Sequence, residues 1–307
     1  MNAALPAGVT VFERGWLSSN NILIVGHETA LVDSGYVTHA PQTVALVEDV
    51  LGSRLLDRLL NTHLHSDHCG GNAALQRRYP QMCTEVPSGE FSAVSVWDEN
   101  VLSYRATGQE CPRFRATGRL IAGGERRLGD LSWEIHAAPG HDPQSVILFE
   151  PTSGTLISAD ALWENGFGVV FPELLGESSF DEVADTLDLI ESLAPKQVVP
   201  GHGRVFYNIK TALDTARRRL EKIAINPSKH ARHALKVLIK FKLLEQQSMR
   251  LSEWAAWRDA TPYLETIRAR FFSAYDLSTL GDEILDELIL SGGARQDATV
   301  ILNIDRS

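Results

Sequence analysis

The sequence predicts an α/β protein in which layers of strands and helices pack together, followed by a smaller, mostly helical C-terminal part. Over the first two thirds of the chain, short β-rich segments alternate with segments that carry apolar residues at helical spacing, a pattern typical of packed α/β layers. From about Tyr207 onward, helical patterns dominate. A chain of 307 residues is also long enough for one large domain and one smaller domain.

Strands and helices alternate in the first part of the chain. Runs rich in β-branched and apolar residues predict strands at residues 9–12, 21–25, 30–32, 127–128, 133–137, 145–149 and 155–158. Apolar residues at helical spacing predict helices at residues 41–51, 72–79 and 180–193. The last of these helices precedes another apolar run at residues 197–200.

The C-terminal part begins with a long basic helix at residues 211–225, which is expected to end near Asn226 and Pro227. The remainder is mostly helical. It closes with a helix at residues 284–290, a glycine turn and a strand at residues 298–302. We place the domain boundary near residue 220, so that residues 1–219 form the larger domain and residues 220–307 the smaller one.

Charge is distributed unevenly along the chain. The net charge is −10 overall, −13 over residues 1–209, +8 over residues 210–242 and −5 over residues 243–307. An acidic body disfavours a nucleic acid as partner, because phosphates are repelled. The basic segment is the exception, but the predicted last helix carries Asp282, Glu283, Asp286 and Glu287. We therefore expect the basic segment to dock on the acidic body, with the smaller domain shaping a cleft or a homodimer interface.

The composition favours a cytoplasmic protein without a membrane segment. No run of eighteen apolar residues is present, and the N-terminus lacks a basic start followed by a long apolar run. The three cysteines, Cys69, Cys83 and Cys111, do not form a Cys-x-x-Cys pair. Sparse cysteines of this kind are typical of free thiols in a reducing compartment.

A cluster of side chains that can bind metal lies in the segment His63-Leu64-His65-Ser66-Asp67-His68. His63 and His65 are two residues apart, so on an extended segment they project to the same side. Asp67 and His68 follow where the chain is expected to turn into a helix. This short spacing is difficult for a single ion to use, and it favours two adjacent ions.

Two ions need further ligands, which later turns of the chain offer. His141 and His202 each follow a Pro-Gly pair, and we expect the glycine to let the backbone turn sharply and present the ring. Asp160 directly follows a predicted strand. A carboxylate placed between two ions would offset their mutual repulsion. These three residues complete the predicted ligand set.

This order of residues resembles the metallo-β-lactamase superfamily over about residues 8–215. The resemblance implies an αββα sandwich, in which two β-sheets lie face to face with helices outside. It assigns His63, His65 and His141 to the first metal, Asp67, His68 and His202 to the second, and Asp160 to both as a bridge. Asp33 matches a family aspartate near the ligand loop, where it either orients a ligand or forms an Asx-turn. The layout of residues 220–307 is similar to the winged-helix extension of some members.

The resemblance also implies a chemistry. Two divalent ions, expected to be zinc with iron or manganese as alternatives, lower the pKa of a shared water, so that a bridging hydroxide can attack the substrate. Asp67 would bind the second metal and accept a proton from that water. The ligand set is most similar to glyoxalase II-like hydrolases, lactonases and related esterases and nucleases. We expect hydrolysis of a small-molecule thioester, lactone or ester.

Two other functions stay open at this point. A metallo-nuclease would use the C-terminal domain to grip RNA or DNA, and a mononuclear-iron sulfur oxygenase would use only His63, His65 and His141. The long irregular stretch at residues 90–120 is expected to overhang the metals as a lid, with Tyr104 and Arg105 as substrate contacts. The alternative is a surface insertion that packs for its own stability.

Overall fold

Two β-sheets form the centre of the larger domain. The computed structural model describes residues 4–304. The first sheet contains six strands in chain order: β1 (Val9–Phe12), β2 (Asn21–Val25), β3 (Thr29–Val32), β4 (Arg58–Leu60), β5 (Cys83–Pro87) and β6 (Gly118–Leu120). Strands β1 to β3 pair antiparallel, whereas β3 to β6 pair parallel.

The second sheet contains five strands: β7 (Glu125–Leu128), β8 (Leu131–Ala137), β9 (Val146–Glu150), β10 (Thr155–Ala159) and β11 (Gln197–Pro200). Their spatial order is β11-β10-β9-β8-β7. Strands β10 and β11 are parallel and the other neighbours are antiparallel.

Twelve α-helices surround the sheets or form the C-terminal domain within residues 4–304. They are α1 (Ala40–Leu51), α2 (Ser66–Cys69), α3 (Asn72–Arg78), α4 (Phe91–Val96), α5 (Tyr104–Thr107), α6 (Phe171–Leu175), α7 (Phe180–Leu193), α8 (Ile209–Ile225), α9 (Pro227–Gln246), α10 (Leu251–Ala260), α11 (Pro262–Phe271) and α12 (Leu277–Leu290). A short 3-10 turn at Val37–His39 precedes α1. None of these described helices combines the length and the apolar character needed to cross a membrane.

The two sheets bury their facing surfaces against each other. Ile22 and Ile24 of β2 point between the sheets, where they join Trp133 and Leu148 of the second sheet in one buried cluster. Leu23, which lies between the two isoleucines, points to the opposite face, as the alternation of side chains along a strand requires.

Helices cover the outer face of each sheet. Leu23 packs with Val47 of α1 and Leu75 of α3. On the other side, Leu156 packs with Leu187 of α7 and with α8. The order helix, sheet, sheet, helix confirms the αββα sandwich that the resemblance implied.

The C-terminal domain combines α9 to α12 with a small antiparallel sheet. Its strands are β12 (Ser248–Arg250), β13 (Ala294–Asp297) and β14 (Val300–Asn303), in the spatial order β12-β14-β13. Leu235, Trp254, Ile284 and Ile301 belong to one buried cluster. The helix and the glycine turn expected at the end of the chain are present. The strand predicted at residues 298–302 begins at Val300, because Ala298 and Thr299 form the turn of a hairpin whose first strand, β13, was not predicted.

The predicted boundary at residue 220 falls inside α8. This helix is continuous, and Leu213, Ala216 and Leu220 on its apolar face belong to the core over the second sheet. The chain leaves that layer at Asn226, whose side chain accepts a hydrogen bond from Lys229 N at the start of α9. In the structure, α8 therefore packs as part of the sandwich.

Basic residues of the 210–242 segment pair with acidic residues elsewhere in the chain. Arg217 of α8 contacts Asp188 and Glu191 of α7, at 2.6 Å and 2.7 Å. In the C-terminal domain, Arg232 and Lys236 of α9 both contact Glu287 of α12. The contacts of Arg217 agree with the expectation that the segment docks on the acidic body, whereas those of Arg232 and Lys236 lie within the C-terminal domain.

Candidate metal centre

Three histidines converge at the edge where the two sheets end. His63 and His65 follow β4, and His141 lies in the connection from β8 to β9. His65 Nδ1 lies 3.1 Å from His63 Nε2 and 2.8 Å from His141 Nε2. These three nitrogens all lie within 4.8 Å of one another, close enough to bind one ion.

A second group of three ligand atoms lies beside the first. Asp67 and His68 belong to α2, and His202 follows β11. Their ligand atoms also lie within 4.8 Å of one another. His202 Nε2 is 3.1 Å from Asp67 Oδ2, and His68 Nε2 is 3.9 Å from the same oxygen.

Asp160, immediately after β10, lies between the two groups. Its Oδ2 is 3.4 Å from His141 Nε2, in the first group. Its Oδ1 is 3.4 Å from His68 Nε2 and 3.9 Å from His202 Nε2, in the second. One carboxylate therefore presents a different oxygen to each group, which is the arrangement that a bridging ligand requires. All seven predicted side chains are brought together.

Local backbone conformation explains how a short segment supplies four of these side chains. Residue His65 is extended, with φ −64° and ψ 147°, and α2 begins at Ser66. The extended part places His63 and His65 near each other, and the helical turn then directs Asp67 and His68 towards the second group. The change from strand to helix spacing at Ser66 is the change that the sequence predicted.

Glycines next to the ligands serve two different purposes. Gly140 has φ +129°, so it turns the chain before His141 as expected. Gly201, before His202, does not have a positive φ. A Cβ at Gly201 would instead overlap Asp160 Oδ1 and stand 3.0 Å from His68 Cε1. The chain nevertheless bends at Gly201 as expected, and this glycine is also needed for close approach of the Asp160 carboxylate.

Asp33 holds His68 in place. Its Oδ2 lies 2.7 Å from His68 Nδ1, and its Oδ1 accepts a hydrogen bond from Thr62 N at 2.9 Å. Asp33 follows β3 in the left-handed region, with φ +58°, a conformation in which aspartate and asparagine are the common non-glycine residues. Of the two roles considered for Asp33, the geometry favours the orientation of a ligand.

In two of the histidines, a hydrogen bond on one ring nitrogen determines where the other ring nitrogen points. His141 Nδ1 donates to the carbonyl oxygen of Val169 at 2.5 Å, which directs its Nε2 towards the first group. His68 Nε2 is fully buried and has no hydrogen-bond partner within residues 4–304, although Nδ1 of the same ring is bound to Asp33. A buried nitrogen without a partner is costly, and a metal ion at the second group would satisfy it. The residues therefore fit a pair of divalent cations.

The protonation preferences of the first group suit metal binding. Burial lowers the pKa of His65 and of His141 to about 4, and burial also holds the pKa of His63 well below its ordinary value. Neutral imidazole is the form that binds a metal. For Asp160, burial raises the pKa, but His202 and His68 outweigh burial and hold the carboxyl ionised.

Asp142 and Glu90 form an acidic pair beside the first group. Asp142 Oδ2 is 3.7 Å from His65 Nε2. Glu90 is buried, and its Oε2 lacks a hydrogen-bond partner among the described residues. Burial, reinforced by the neighbouring Asp142, raises the pKa of Glu90 well above its ordinary value.

A cavity of about 920 Å³ opens onto the metal ligands. His65, Asp67, His141, Asp160 and His202 line one end. The C-terminal domain, chiefly α9, also lines the cavity. Both domains thus line the cavity, and of the two roles expected for the smaller domain, a cleft or a homodimer interface, this observation bears on the cleft.

The 90–120 stretch contributes to the cavity, but not through the two side chains expected from the sequence. Tyr104 is buried, and its hydroxyl lies 3.2 Å from Cys69 Sγ. Arg105 is exposed and pairs with Glu99. Leu102 and Ser103 line the cavity instead. The side chains of Tyr104 and Arg105 therefore face the packed interior and the solvent, respectively, because α5 turns both away from the cleft.

Three aromatic residues beside the ligands were missed by sequence reasoning. Trp16 stacks on His202 with ring centroids 5.4 Å apart. Trp163 donates a hydrogen bond from Nε1 to Asp160 Oδ1 at 3.2 Å. Phe171 contacts His65, with ring centroids 5.2 Å apart. The position of Trp163, three residues after Asp160, was the one available signal, since the other two residues approach only through the fold.

Comparisons with known proteins identify the family of this chain. The metallo-beta-lactamase superfamily model matches residues 14–202. Hydroxyacylglutathione hydrolase of Anaeromyxobacter dehalogenans (strain 2CP-C) is 30% identical over 210 residues, which is 66% of this chain and 69% of that protein. The protein of the same name from Synechococcus sp. (strain JA-3-3Ab) is 26% identical over 194 residues, which is 58% of this chain and 66% of that protein.

A solved structure extends the likeness to the C-terminal domain. The crystal structure of a beta-lactamase domain protein from Burkholderia ambifaria has a TM-score of 0.60 and 19% identity, and it covers 98% of this chain and 94% of that one. At that identity, the likeness shows a shared fold. The family match over more than half of the chain shows more, and the chain belongs to the metallo-beta-lactamase superfamily of metal-dependent hydrolases.

Proposed function

We propose that this protein uses two divalent metal ions to hydrolyse a small-molecule thioester, lactone or ester. The position of Asp160 carries this proposal, because its two oxygens face separate groups of ligand atoms at 3.4 Å. His63, His65 and His141 would hold one ion, and Asp67, His68 and His202 the other. Asp160 would belong to both.

Bound at these positions, the ions would lower the pKa of a water molecule and polarise the substrate carbonyl. The side chains of the protein then have separate tasks. Asp67 lines the cavity and lies 3.1 Å from His202, so its carboxylate can accept a proton from a water in the cleft. Trp163 restrains Asp160 through its indole N–H, and Asp33 restrains His68. Both act as positioning residues.

The proposed substrate class rests on the site and on the names of the relatives. A group of histidine and carboxylate ligands at the end of a cavity suits attack on a carbonyl carbon. The relatives are named hydroxyacylglutathione hydrolase, a name that describes hydrolysis of an acyl derivative of glutathione. These observations support acyl transfer to water more than cleavage of a nucleic acid.

Zinc is the proposed metal, with iron or manganese as alternatives. The candidate donors are imidazole nitrogens and carboxylate oxygens, and imidazole suits zinc and iron. The thiol of Cys69, which follows His68 in the chain, contacts the Tyr104 hydroxyl and the carbonyl oxygens of Leu64 and His65. It is not among these candidate donors.

Reconstitution with single metals tests the proposed function. Metal-free protein would be loaded with zinc, iron or manganese and assayed with thioesters, lactones, carboxylic esters and phosphodiesters. We expect hydrolysis of at least one carbonyl substrate, with Asp160→Asn strongly impaired and Glu221→Gln, an exposed position on α8, unaffected. Activity confined to phosphodiesters, or equal activity of the Asp160→Asn variant, would contradict the proposal.

A further inference from the structure

The cavity is larger than the reacting part of a small ester requires. Its volume of about 920 Å³ lies near the upper end of the range for sites that enclose a whole small-molecule ligand. One end holds the metal ligands, where the carbonyl group of a substrate must lie. The rest of the cavity must therefore receive a part of the substrate that does not react.

One face of α9 lines the cavity. The residues on this face recur at the three- and four-residue spacing of a helix: His233, Lys236, Val237, Lys240, Phe241 and Leu244. Towards the C-terminal end of the helix the face becomes apolar. There Phe241 and Leu244 pack with Leu17 and Tyr36 of the larger domain, so this end of the cavity is closed by apolar side chains.

Apolar side chains also connect this wall to the metal ligands. Phe171 contacts His65 and His141, with ring centroids 5.2 Å and 5.7 Å apart. Its backbone carbonyl accepts a hydrogen bond from the Tyr263 hydroxyl of the C-terminal domain. Leu17 follows Trp16, which stacks on His202. Phe171 and Val237 pack against the same apolar core, and Leu17 packs with Phe241, so apolar side chains next to both groups of ligands belong to the same clusters as the α9 residues.

The positive charges along the cavity are already bound to groups of the protein. Arg219 donates to the carbonyl oxygen of Phe167 at 2.7 Å and lies over the Phe167 ring. Lys236 pairs with Glu287. Lys240 donates to the carbonyl oxygens of Gly293 and Ile304, at 2.7 Å and 2.9 Å. These are the lysine and arginine side chains that line the cavity among residues 4–304.

A glutathione moiety carries two carboxylates and an ammonium group, so it needs charged partners when it is buried. Because the cavity cations already have protein partners and Val237, Phe241 and Leu244 are apolar, this wall suits an uncharged hydrocarbon instead. We infer that the substrate carries an extended apolar acyl chain, which lies along α9 while its carbonyl carbon faces the metal ligands. This inference rests on the proposed function and narrows its substrate class.

A series of acyl thioesters that share one leaving group tests the inference. The metal-loaded protein would be assayed with N-acetylcysteamine thioesters of acetyl, butyryl, hexanoyl, octanoyl and decanoyl groups, and with a hydroxyacylglutathione. Each buried methylene should raise kcat/KM by up to about fourfold until the cavity is filled. The octanoyl thioester should be a better substrate than the hydroxyacylglutathione.

Two variants of Val237 separate apolar recognition from general damage. Val237→Asp places a charge in the wall, and Val237→Trp fills the space while keeping the wall apolar. Both variants should lower kcat/KM for the octanoyl thioester more than for the acetyl thioester. The ratio of the two kcat/KM values should fall about tenfold. Ile225→Trp is the matched control, because Ile225 is exposed on α8 and does not line the cavity.

A binding measurement that does not depend on turnover completes the test. In calorimetry with metal-free protein, octanamide should bind more tightly than acetamide, and Val237→Asp should remove most of the difference. Equal hydrolysis at all chain lengths, or equal binding of the two amides, would overturn the inference and leave the proposed function standing. Failure of the metal-loaded protein to hydrolyse any of the carbonyl substrates would instead overturn the proposed function.

Discussion

Oδ2 of Asp33 lies 2.7 Å from Nδ1 of His68, and this contact fixes which nitrogen of His68 faces the second group of ligand atoms. His68 is fully buried, so its ring has no solvent to orient it. Residues that hold a metal-binding histidine in this way commonly change metal affinity or activity by about 10- to 100-fold when they are replaced.

Replacement of Asp33 should therefore weaken the second metal position. Asp33→Asn keeps the size of the side chain and tolerates the positive φ, but it loses the charge that Nδ1 of His68 contacts. We expect about 10- to 100-fold weaker binding of one of two ions, measured by chelator competition. Asp57→Asn, at the opposite end of β3 where Asp57 accepts from Thr29 N, is the control. Unchanged affinity for both ions would argue against an orienting role for Asp33.

Addition of one methyl group at Gly201 should displace the carboxylate of Asp160, the proposed bridging ligand. A Cβ there would overlap Asp160 Oδ1, so Gly201→Ala should displace this carboxylate and lower the metal content. Overpacking of this kind costs about 1–3 kcal/mol. Gly15→Ala is the matched control, because a Cβ at Gly15 meets no atom within 4 Å. Metal analysis together with thermal unfolding would show the effect, and a fully loaded Gly201→Ala protein would rule out the close approach described here.

Glu90 should make stability depend on pH. Its pKa is raised in the folded protein by burial and by Asp142. A group with a raised folded pKa contributes stability that is fully present below the unfolded pKa and is lost as the pH rises towards the folded pKa. Glu90→Gln cannot ionise, so its gain in Tm over the parent should grow as the pH rises above the ordinary pKa of a glutamate.

Thermal unfolding of chelator-treated protein from about pH 5 to about pH 8 would measure this difference in Tm. Glu221→Gln removes an exposed carboxyl group and serves as the control. A difference between Glu90→Gln and the parent that stays constant over this range would show that Glu90 keeps an ordinary pKa.

The basic segment should bind nucleic acid poorly. Arg217, Arg232 and Lys236 contact acidic side chains of the same chain, so binding to phosphates would first break these pairs. Fluorescence anisotropy with a labelled RNA and a labelled DNA oligonucleotide should show weak binding at moderate salt. Tight binding that falls steeply with salt concentration, together with cleavage of the oligonucleotide, would favour the metallo-nuclease alternative.

The sequence predicted the sandwich well because its strands and helices carry strong local patterns. The alternation of Ile22, Leu23 and Ile24 assigns two side chains to the space between the sheets and one to the outer helices, as observed. The predicted helix at residues 180–193 matches α7. The domain boundary is harder to predict, because the many basic residues in the sequence of α8 drew attention away from the apolar residues that pack on the second sheet.

The candidate metal centre could be assembled from sequence because its residue types and spacing are unusual, whereas the cavity could not. Contacts such as Trp16 with His202, or α9 with Leu17, join residues that are distant in the chain and leave no periodic signal. Tyr104 illustrates the opposite error, in which a residue expected at the site lies outside it. Its position in an irregular stretch suggested a substrate contact, but the tertiary packing around Cys69 buries it.

The number of metal ions bound per chain tests the central claim most directly. Protein purified without a chelator or a metal-affinity tag would be analysed by inductively coupled plasma mass spectrometry, beside Asp160→Asn and the double variant Asp67→Asn with His202→Ala. We predict about two ions per chain for the parent and about one for the double variant, because the first group of ligands stays intact. A single ion in the parent that is unaffected by the double variant, or no metal even after reconstitution, would contradict the dinuclear centre.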